Sequence, residues 1–164
     1  MNTTYLLLGS NLDDRQGMIR KAVERINDRI GPVTGSSSVY ESEPWGFESE
    51  CSFLNQVVKV DTGLSPHELL EAILNIESKL GRKRDSRVER YSSRSIDIDI
   101  LFYNEDIISE NNLNIPHPRI PERMFTLLPL CELNPSMVHP VYQRTVKELM
   151  ALCSDRNEVS LYLS

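Results

Sequence analysis

Residues 96–100, Ile96-Asp97-Ile98-Asp99-Ile100, alternate β-branched apolar side chains with carboxylates. In a strand, successive side chains point to opposite faces, so Asp97 and Asp99 emerge together while the three isoleucines face a core. Their Cα atoms would lie roughly 6.5–7 Å apart, a poor spacing for a core and a good one for cradling hard cations. Unpaired buried carboxylates are very costly, so either a metal or nearby arginines must compensate them. Residues 82–94 hold six basic residues (Arg82, Lys83, Arg84, Arg87, Arg90, Arg94) against Asp85 and Glu89, a local charge of +4 in a chain of formal charge −6. A metal–polyphosphate site needs both features: cations bridge carboxylate to phosphate, and guanidinium groups neutralise the remaining phosphate oxygens.

At 164 residues and 40% hydrophobic content, one compact domain covering residues 1–164 is expected. The acidic balance, with a pI of about 5.1, argues against general affinity for nucleic acid or anionic membrane. Residues 1–8 carry no basic segment ahead of their apolar run, and no stretch has the length of a membrane span. Cys51, Cys131 and Cys153 are isolated, which indicates neither a disulfide framework nor a zinc knuckle. A cytoplasmic protein is expected, with small-molecule substrates as its partners and a monomer as its state.

The pattern of elements narrows the fold. Residues 4–8 read as a strand ended by Gly9-Ser10-Asn11. Asn11 or Asp13 then caps a helix reaching about Arg29, with Ile19, Ala22, Val23 and Ile26 as its apolar stripe. Gly31-Pro32 stops it, and residues 33–41 read as a polar strand near an edge. Residues 53–61 alternate as a third strand, with Phe53, Asn55, Val57 and Lys59 on one face. Ser65-Pro66-His67-Glu68 opens a helix that ends at Gly81. Residues 96–103 form the fourth strand, and Asn104-Glu105-Asp106 turns into a short strand at 107–108. The remainder is punctuated by prolines, with a last helix over 146–153. The order β-α-β-β-α-β predicts an α+β, ferredoxin-like fold, an antiparallel sheet with helices packed on it.

Asp-x-Asp after an arginine run is only moderately specific alone. It gains specificity from Gly9-Ser10-Asn11-Leu12, Ser42-Glu43-Pro44-Trp45-Gly46, Phe53-Leu54-Asn55, Gly81-Arg82-Lys83-Arg84 and Pro116-His117-Pro118-Arg119. In that order and at those separations, the chain resembles the 6-hydroxymethyl-7,8-dihydropterin pyrophosphokinases of folate biosynthesis from Tyr5 to about Pro140.

The resemblance implies a ferredoxin-like fold, ATP with two Mg²⁺ ions, and transfer of pyrophosphate to the pterin hydroxymethyl oxygen with release of AMP. By motif, Asp97 and Asp99 would hold both ions, and Arg82, Arg90 and Arg94 would join them in catalysis. Arg82, Arg84, Arg90, Arg94, Ile100, His117 and Arg123 would bind ATP. Ser42, Pro44, Trp45, Gly46 and Asn55 would bind the pterin, with Phe53 and Phe125 stacked on its faces and Tyr91 covering it. Ser10, Asn11 and Glu77 match positions that support the site. The chain departs from the pattern in a loop about two residues longer between Arg84 and Arg94, in Tyr91 where Trp is usual, and in Ser92-Ser93 where Gly-Pro is frequent.

Each residue also has a plainer reading. The Asp pair could be ion-paired within a strand, the arginine run a solvated loop, and Phe53 and Phe125 core aromatics. A magnesium-dependent phosphohydrolase or nuclease would use the same carboxylates, and a ligand-sensing module would use none of them catalytically. No G-x-x-x-x-G-K-[ST] segment is present, which disfavours a P-loop kinase.

Overall fold

The structure, a computed structural model, describes residues 1–11, 14–43, 52–81 and 96–163. Its elements are β1 (Asn2–Ser10), α1 (Arg15–Arg29), β2 (Val33–Ser36), β3 (Tyr40–Ser42), β4 (Phe53–Thr62), α2 (Pro66–Lys79), β5 (Asp97–Tyr103), β6 (Ile108–Glu110), β7 (Leu113–Ile115), α3 (Met124–Leu133), α4 (Val146–Leu152) and β8 (Val159–Leu161). The main sheet runs β5-β1-β4-β3-β8, with β2 also on β4 and every pairing antiparallel. Taking β2 and β3 as one interrupted strand, the core follows the ferredoxin-like order, and β6 and β7 form a separate hairpin.

Strand alternation gives the sheet two buried faces. Leu6, Leu8, Leu54, Val58, Val60, Ile96, Ile98 and Ile100 pack under α1 and α2. Tyr5, Leu7, Val57, Leu101 and Phe102 pack under α3 and α4, with Leu127, Leu130, Val146 and Leu149. A bulge opposite Tyr5 and Leu6 lets Leu101 and Phe102 both join the second face. Asp97 and Asp99 therefore share the α3 side of the sheet, opposite the isoleucines, as the alternation requires.

The helix starts follow from capping. Ser65 and Glu68 form a reciprocal capping box at α2, with Pro66 in its first turn. The cap of α1 differs from expectation: it is Asp14, whose side chain accepts from the Gly17 amide, rather than Asn11 or Asp13. Gly31 ends the α1 segment at φ +157°, where an added Cβ would sit 1.9 Å from the Asp61 carbonyl oxygen, so no side chain fits.

Two further expectations are corrected. The strand expected over 33–41 is two strands, because Ser37 interrupts the ladder: its own hydroxyl accepts the Val57 amide at 3.0 Å. The expected place near an edge holds: β2 pairs with β4 alone, and β3 is next to last in the sheet, followed only by β8 at Tyr40, Glu41 and Ser42. Residues 124–133, expected as proline-punctuated chain, form α3 with Pro129 inside it. Among the described residues, no helix is long and apolar enough to cross a membrane.

Candidate functional site

The central strand sets the site's geometry. At Gly9, β1 is flanked by Asn55 on β4 and by Asp97 on β5, and one pair further along Leu7 lies between Val57 and Asp99. With strands about 4.8 Å apart, Asn55 and Asp97 stand roughly 10 Å from each other across a residue with no side chain. A Cβ at Gly9 would come within 3.5 Å of Asn55 Oδ1 and 3.8 Å of the Phe53 ring, so a longer side chain would fill the space between them. The result is a cleft of about 600 Å³ with Leu7 and Gly9 as floor, Ser42, Glu43, Phe53 and Asn55 on one side, and Asp97, Asp99, Arg123 and Phe125 on the other.

Each wall is anchored. Asn55 is buried and its Nδ2 donates to the Ser42 hydroxyl at 2.7 Å, which fixes the amide plane. Arg15 of α1 donates from Nη1 to Glu41 Oε2 and to the Ser52 carbonyl, both at 2.9 Å. It thereby ties down the chain on both sides of residues 44–51. Glu132 of α3 accepts from the Ser38 amide at 2.8 Å and from the Tyr40 hydroxyl at 2.5 Å. Burial first, and then the hydrogen bond to Glu132 and its negative charge, push the Tyr40 phenol up to about 12.

On the carboxylate strand, Glu77 of α2 is buried and accepts the Ile98 amide at 2.8 Å. Ile98 faces Leu8 across the sheet, so an amide committed to Glu77 makes that pair the non-hydrogen-bonded kind. Alternation then pairs Asp97 and Asp99 with Gly9 and Leu7 by main-chain hydrogen bonds, and it turns the Ile98 and Ile100 backbone groups outward. Both carboxylates thus rise from backbone held on one side by β1 and on the other by α2.

A second cleft, about 590 Å³, opens along that outer edge and shares Asp99 with the first. Leu70, Ile98, Ile100 and Leu113 make it apolar, while Asn112, Asn114 and His117 give it hydrogen-bonding groups. The His117 amide donates to the Leu101 carbonyl at 3.0 Å, which locks this segment to β5. Its Nδ1 accepts the Arg119 amide at 3.1 Å, leaving the proton on Nε2. Burial first, then the positive charges of Arg123 and Arg119, push the His117 imidazole down to about 4. It is a neutral N–H donor at neutral pH, not a cation.

Arg123 sits at the N-cap of α3, its guanidinium 5.4 Å from the centre of the Phe125 ring. Burial lowers its pKa, and the Asp99 charge opposes that shift, which places cation and carboxylate within electrostatic reach.

Of the residues expected at a site, Ser42, Phe53, Asn55, Asp97, Asp99, Arg123 and Phe125 meet in the first cleft, and Ile100 and His117 lie in the second. Phe53 and Phe125 line open space and are not plain core aromatics. Pro44, Trp45, Gly46, Arg82, Arg84, Arg90, Tyr91 and Arg94 lie outside the described residues. Glu43 belongs to the quoted 42–46 motif, whereas Gly9, Leu7, Arg15 and the asparagines of the β6–β7 hairpin went unrecognised as site residues. Among the latter, only Gly9, inside a quoted motif, carried a signal.

Comparison with known proteins follows the same outline. A family model described as 7,8-dihydro-6-hydroxymethylpterin-pyrophosphokinase (HPPK) matches residues 5–135. A 2-amino-4-hydroxy-6-hydroxymethyldihydropteridine pyrophosphokinase of Aquifex aeolicus is 43% identical over 148 residues, covering 90% of this chain and 90% of its own. One of Bacillus subtilis is 43% identical over 133 residues, covering 80% and 78%. The crystal structure of wild-type Plasmodium falciparum HPPK-DHPS superposes with a TM-score of 0.73 at 18% identity, over 92% of this chain and 44% of that one, a likeness of fold. With the family model spanning most of the chain and relatives above 40% identity along nearly all of it, this chain belongs to the 7,8-dihydro-6-hydroxymethylpterin-pyrophosphokinase family.

Proposed function

We propose that the two clefts are the pterin and ATP sites of a magnesium-dependent pyrophosphokinase, and that Asp99 stands where they meet. The chain, as a family member, transfers the pyrophosphoryl group of ATP to the hydroxymethyl oxygen of 6-hydroxymethyl-7,8-dihydropterin, releasing AMP in folate biosynthesis. The observation that carries the site assignment is the sharing of Asp99 between two clefts of different chemistry. A bisubstrate transfer needs its two ligands to abut at the group that moves.

The first cleft suits a pterin. Phe53 and Phe125 offer flat apolar faces, and Asn55 offers both donor and acceptor to the mixed amino and oxo edge of the ring. Ser42 orients that amide, and Pro44, Trp45 and Gly46 would complete the rim. The second cleft suits a nucleoside: aliphatic side chains for the base, amides of Asn112 and Asn114 for its polar edge, and the neutral His117 Nε2–H for a phosphate oxygen. Ile100 would meet the base through its outward backbone groups.

Asp97 and Asp99 fit magnesium by donor type, being hard oxygens on rigid backbone. Among the described residues no larger cluster of His, Cys, Asp and Glu competes for another metal. A pair of ions there would screen the triphosphate and lower the barrier to attack by an alcohol oxygen. Arg123 would hold phosphate charge at the junction, and Arg82, Arg84, Arg90 and Arg94 would close over the transferred group and exclude water, with Tyr91 over the pterin. The hydroxymethyl proton would pass to an Asp carboxylate oxygen. We take residues 1–164 as one such domain, cytoplasmic and monomeric, acting on small molecules only.

Mixing the protein with Mg²⁺, ATP and the pterin alcohol tests the assignment. AMP and a pyrophosphorylated pterin should form only with all three present. Phosphate release from ATP without pterin would instead mark a phosphohydrolase.

A further inference from the structure

Arg123 and Phe125, the two side chains that α3 gives to the cleft, both lie in its opening turn. A helix start leaves amide donors unsatisfied, and a side chain at the N-cap normally takes one. Here the N-cap is Arg123, a donor itself, and no side-chain cap bond is made by it. The acceptor comes from elsewhere in the chain: Asp155 Oδ2 takes the Met124 amide at 3.0 Å.

We propose that Asp155 is a positioning residue for the pterin cleft, capping α3 from the segment that follows α4 and so fixing where Arg123 and Phe125 stand. Asp155 is itself held in place. Its other oxygen, Oδ1, accepts the Asn157 amide at 2.9 Å, a turn that locks the carboxylate to its own backbone. The neighbouring Arg156 donates to the Cys153 carbonyl at 3.1 Å, which closes the turn against the end of α4. A negative charge at the start of α3 also complements the helix dipole. The residue lies outside residues 5–135, the span that the family model matches.

The consequence reaches the ligand because the capped amide, Met124, lies between the two functional side chains. Released, the first turn can fray, and the Phe125 ring and the Arg123 guanidinium stacked near it lose their fixed relation to Asn55 and Asp99. Binding of pterin must then re-order that turn, so affinity falls by the worth of the cap. Asp155 touches no ligand and acts through α3.

The inference rests on the pterin assignment above, and four variants separate the two. Asp155→Ala should weaken pterin binding about tenfold, within the roughly 2–30-fold span of a lost N-cap. Asp155→Asn keeps an acceptor of equal capping strength and should stay within about twofold of wild type. Thr145→Ala removes the cap of α4, where Thr145 accepts the Glu148 amide at 3.1 Å, and should lower the thermal midpoint comparably without changing pterin affinity. Arg144→Ala, near that cap but outside both clefts, serves as the neutral reference. Pterin binding is measured by calorimetry, and hydrogen exchange of the Met124 amide is followed in parallel. Exchange should accelerate in Asp155→Ala and in neither Asp155→Asn nor Thr145→Ala. Unchanged Met124 exchange in Asp155→Ala, no rescue by asparagine, or equal loss of pterin affinity in Thr145→Ala would each overturn the inference. Failure of the wild type to bind pterin would overturn the functional reading, while the Met124 exchange would still decide whether Asp155 is the cap.

Discussion

Glu77 offers the sharpest test of how the carboxylate strand is built. Its side chain is about 5% exposed and accepts the Ile98 amide, midway between Asp97 and Asp99, at 2.8 Å. A hydrogen bond to a charged acceptor contributes about 1.5–3 kcal/mol. Replacing Glu77 with alanine removes it, leaves a buried amide unsatisfied, and deletes about one methylene of burial, a further ~0.8 kcal/mol. The expected loss is about 2–4 kcal/mol of unfolding free energy. For a chain of this length that lowers the thermal midpoint by roughly 5–12 °C. Glu77→Gln keeps an acceptor and nearly the same volume and gives up only the charge, so its loss should be about 1 kcal/mol.

Urea unfolding of the three proteins gives the stabilities, and hydrogen exchange gives the location. In Glu77→Ala the Ile98 amide should exchange faster than the loss of global stability alone produces. The amides of Asp97 and Asp99, bonded to β1, should follow global stability more closely. Magnesium dependence of turnover should shift to higher concentration, because both carboxylates now rise from a looser strand. Were Ile98 exchange to change only in step with global unfolding, Glu77 would be an ordinary buried group and the positioning argument would be wrong.

Four further outcomes follow from the same geometry. Asp97→Ala or Asp99→Ala should leave a folded protein whose turnover falls by orders of magnitude; near-normal rates at saturating Mg²⁺ would refute a metal role for the pair. Asn55→Ala should weaken pterin binding by about 1–3 kcal/mol, the cost of an unpaired polar edge, while sparing ATP affinity; separate titrations check this, and equal losses would mark Asn55 as structural. His117 titrates near 6.5 when unfolded and about 4 when folded, so at pH above 6.5 both states are neutral and it has no effect. As pH falls from 6.5 towards 4 only the unfolded state gains the proton, so stability drops by at most about 1.4 kcal/mol per pH unit; His117→Gln should flatten that slope, and an unchanged slope would contradict the burial of the ring. Arg90→Ala should slow the chemical step more than it weakens ATP binding, as expected of a contact made mainly in the transition state; equal effects in single-turnover and binding measurements would make it a ground-state clamp.

The parts of the fold legible from sequence are those that obey one local rule. The alternation in β4 and β5 and the capping box of α2 need only their own residues to be recognised. What escaped needed a partner distant in the chain. α3 is nearly uniformly apolar and interrupted by Pro129, so it shows no stripe; it is a helix because the sheet face of Tyr5, Leu7 and Phe102 buries it. β8 is three residues long, and only its pairing with β3 makes it a strand. The break between β2 and β3 depends on a serine hydroxyl taking a main-chain donor 20 residues away. The site divides in the same manner: Ser42, Phe53, Asn55 and His117 lie in quoted motifs and Asp97 and Asp99 in an alternating strand, whereas Asn112, Asn114, Arg15 and Asp155 look like ordinary surface polar groups.

The edge position of β5 explains why positioning contacts gather around it. Among the described residues β5 ends the sheet, and the second cleft, with Asp99 in its lining, lies along that uncovered edge. An open edge leaves main-chain donors and acceptors exposed to pairing with any other chain, a hazard that proteins blunt by other means. Here α2 reaches over with Glu77 to take the Ile98 amide, and the His117 segment donates its own amide to Leu101 three residues later. Between those two closures lies the short stretch at Asp99 and Ile100, where the second cleft meets the first. The groups that close the edge therefore also set the width of the opening through which the nucleotide would reach Asp99. A change at Glu77 or in the 116–118 segment should then act on ATP and stability together, whereas a change at Asn55 should act on the pterin alone.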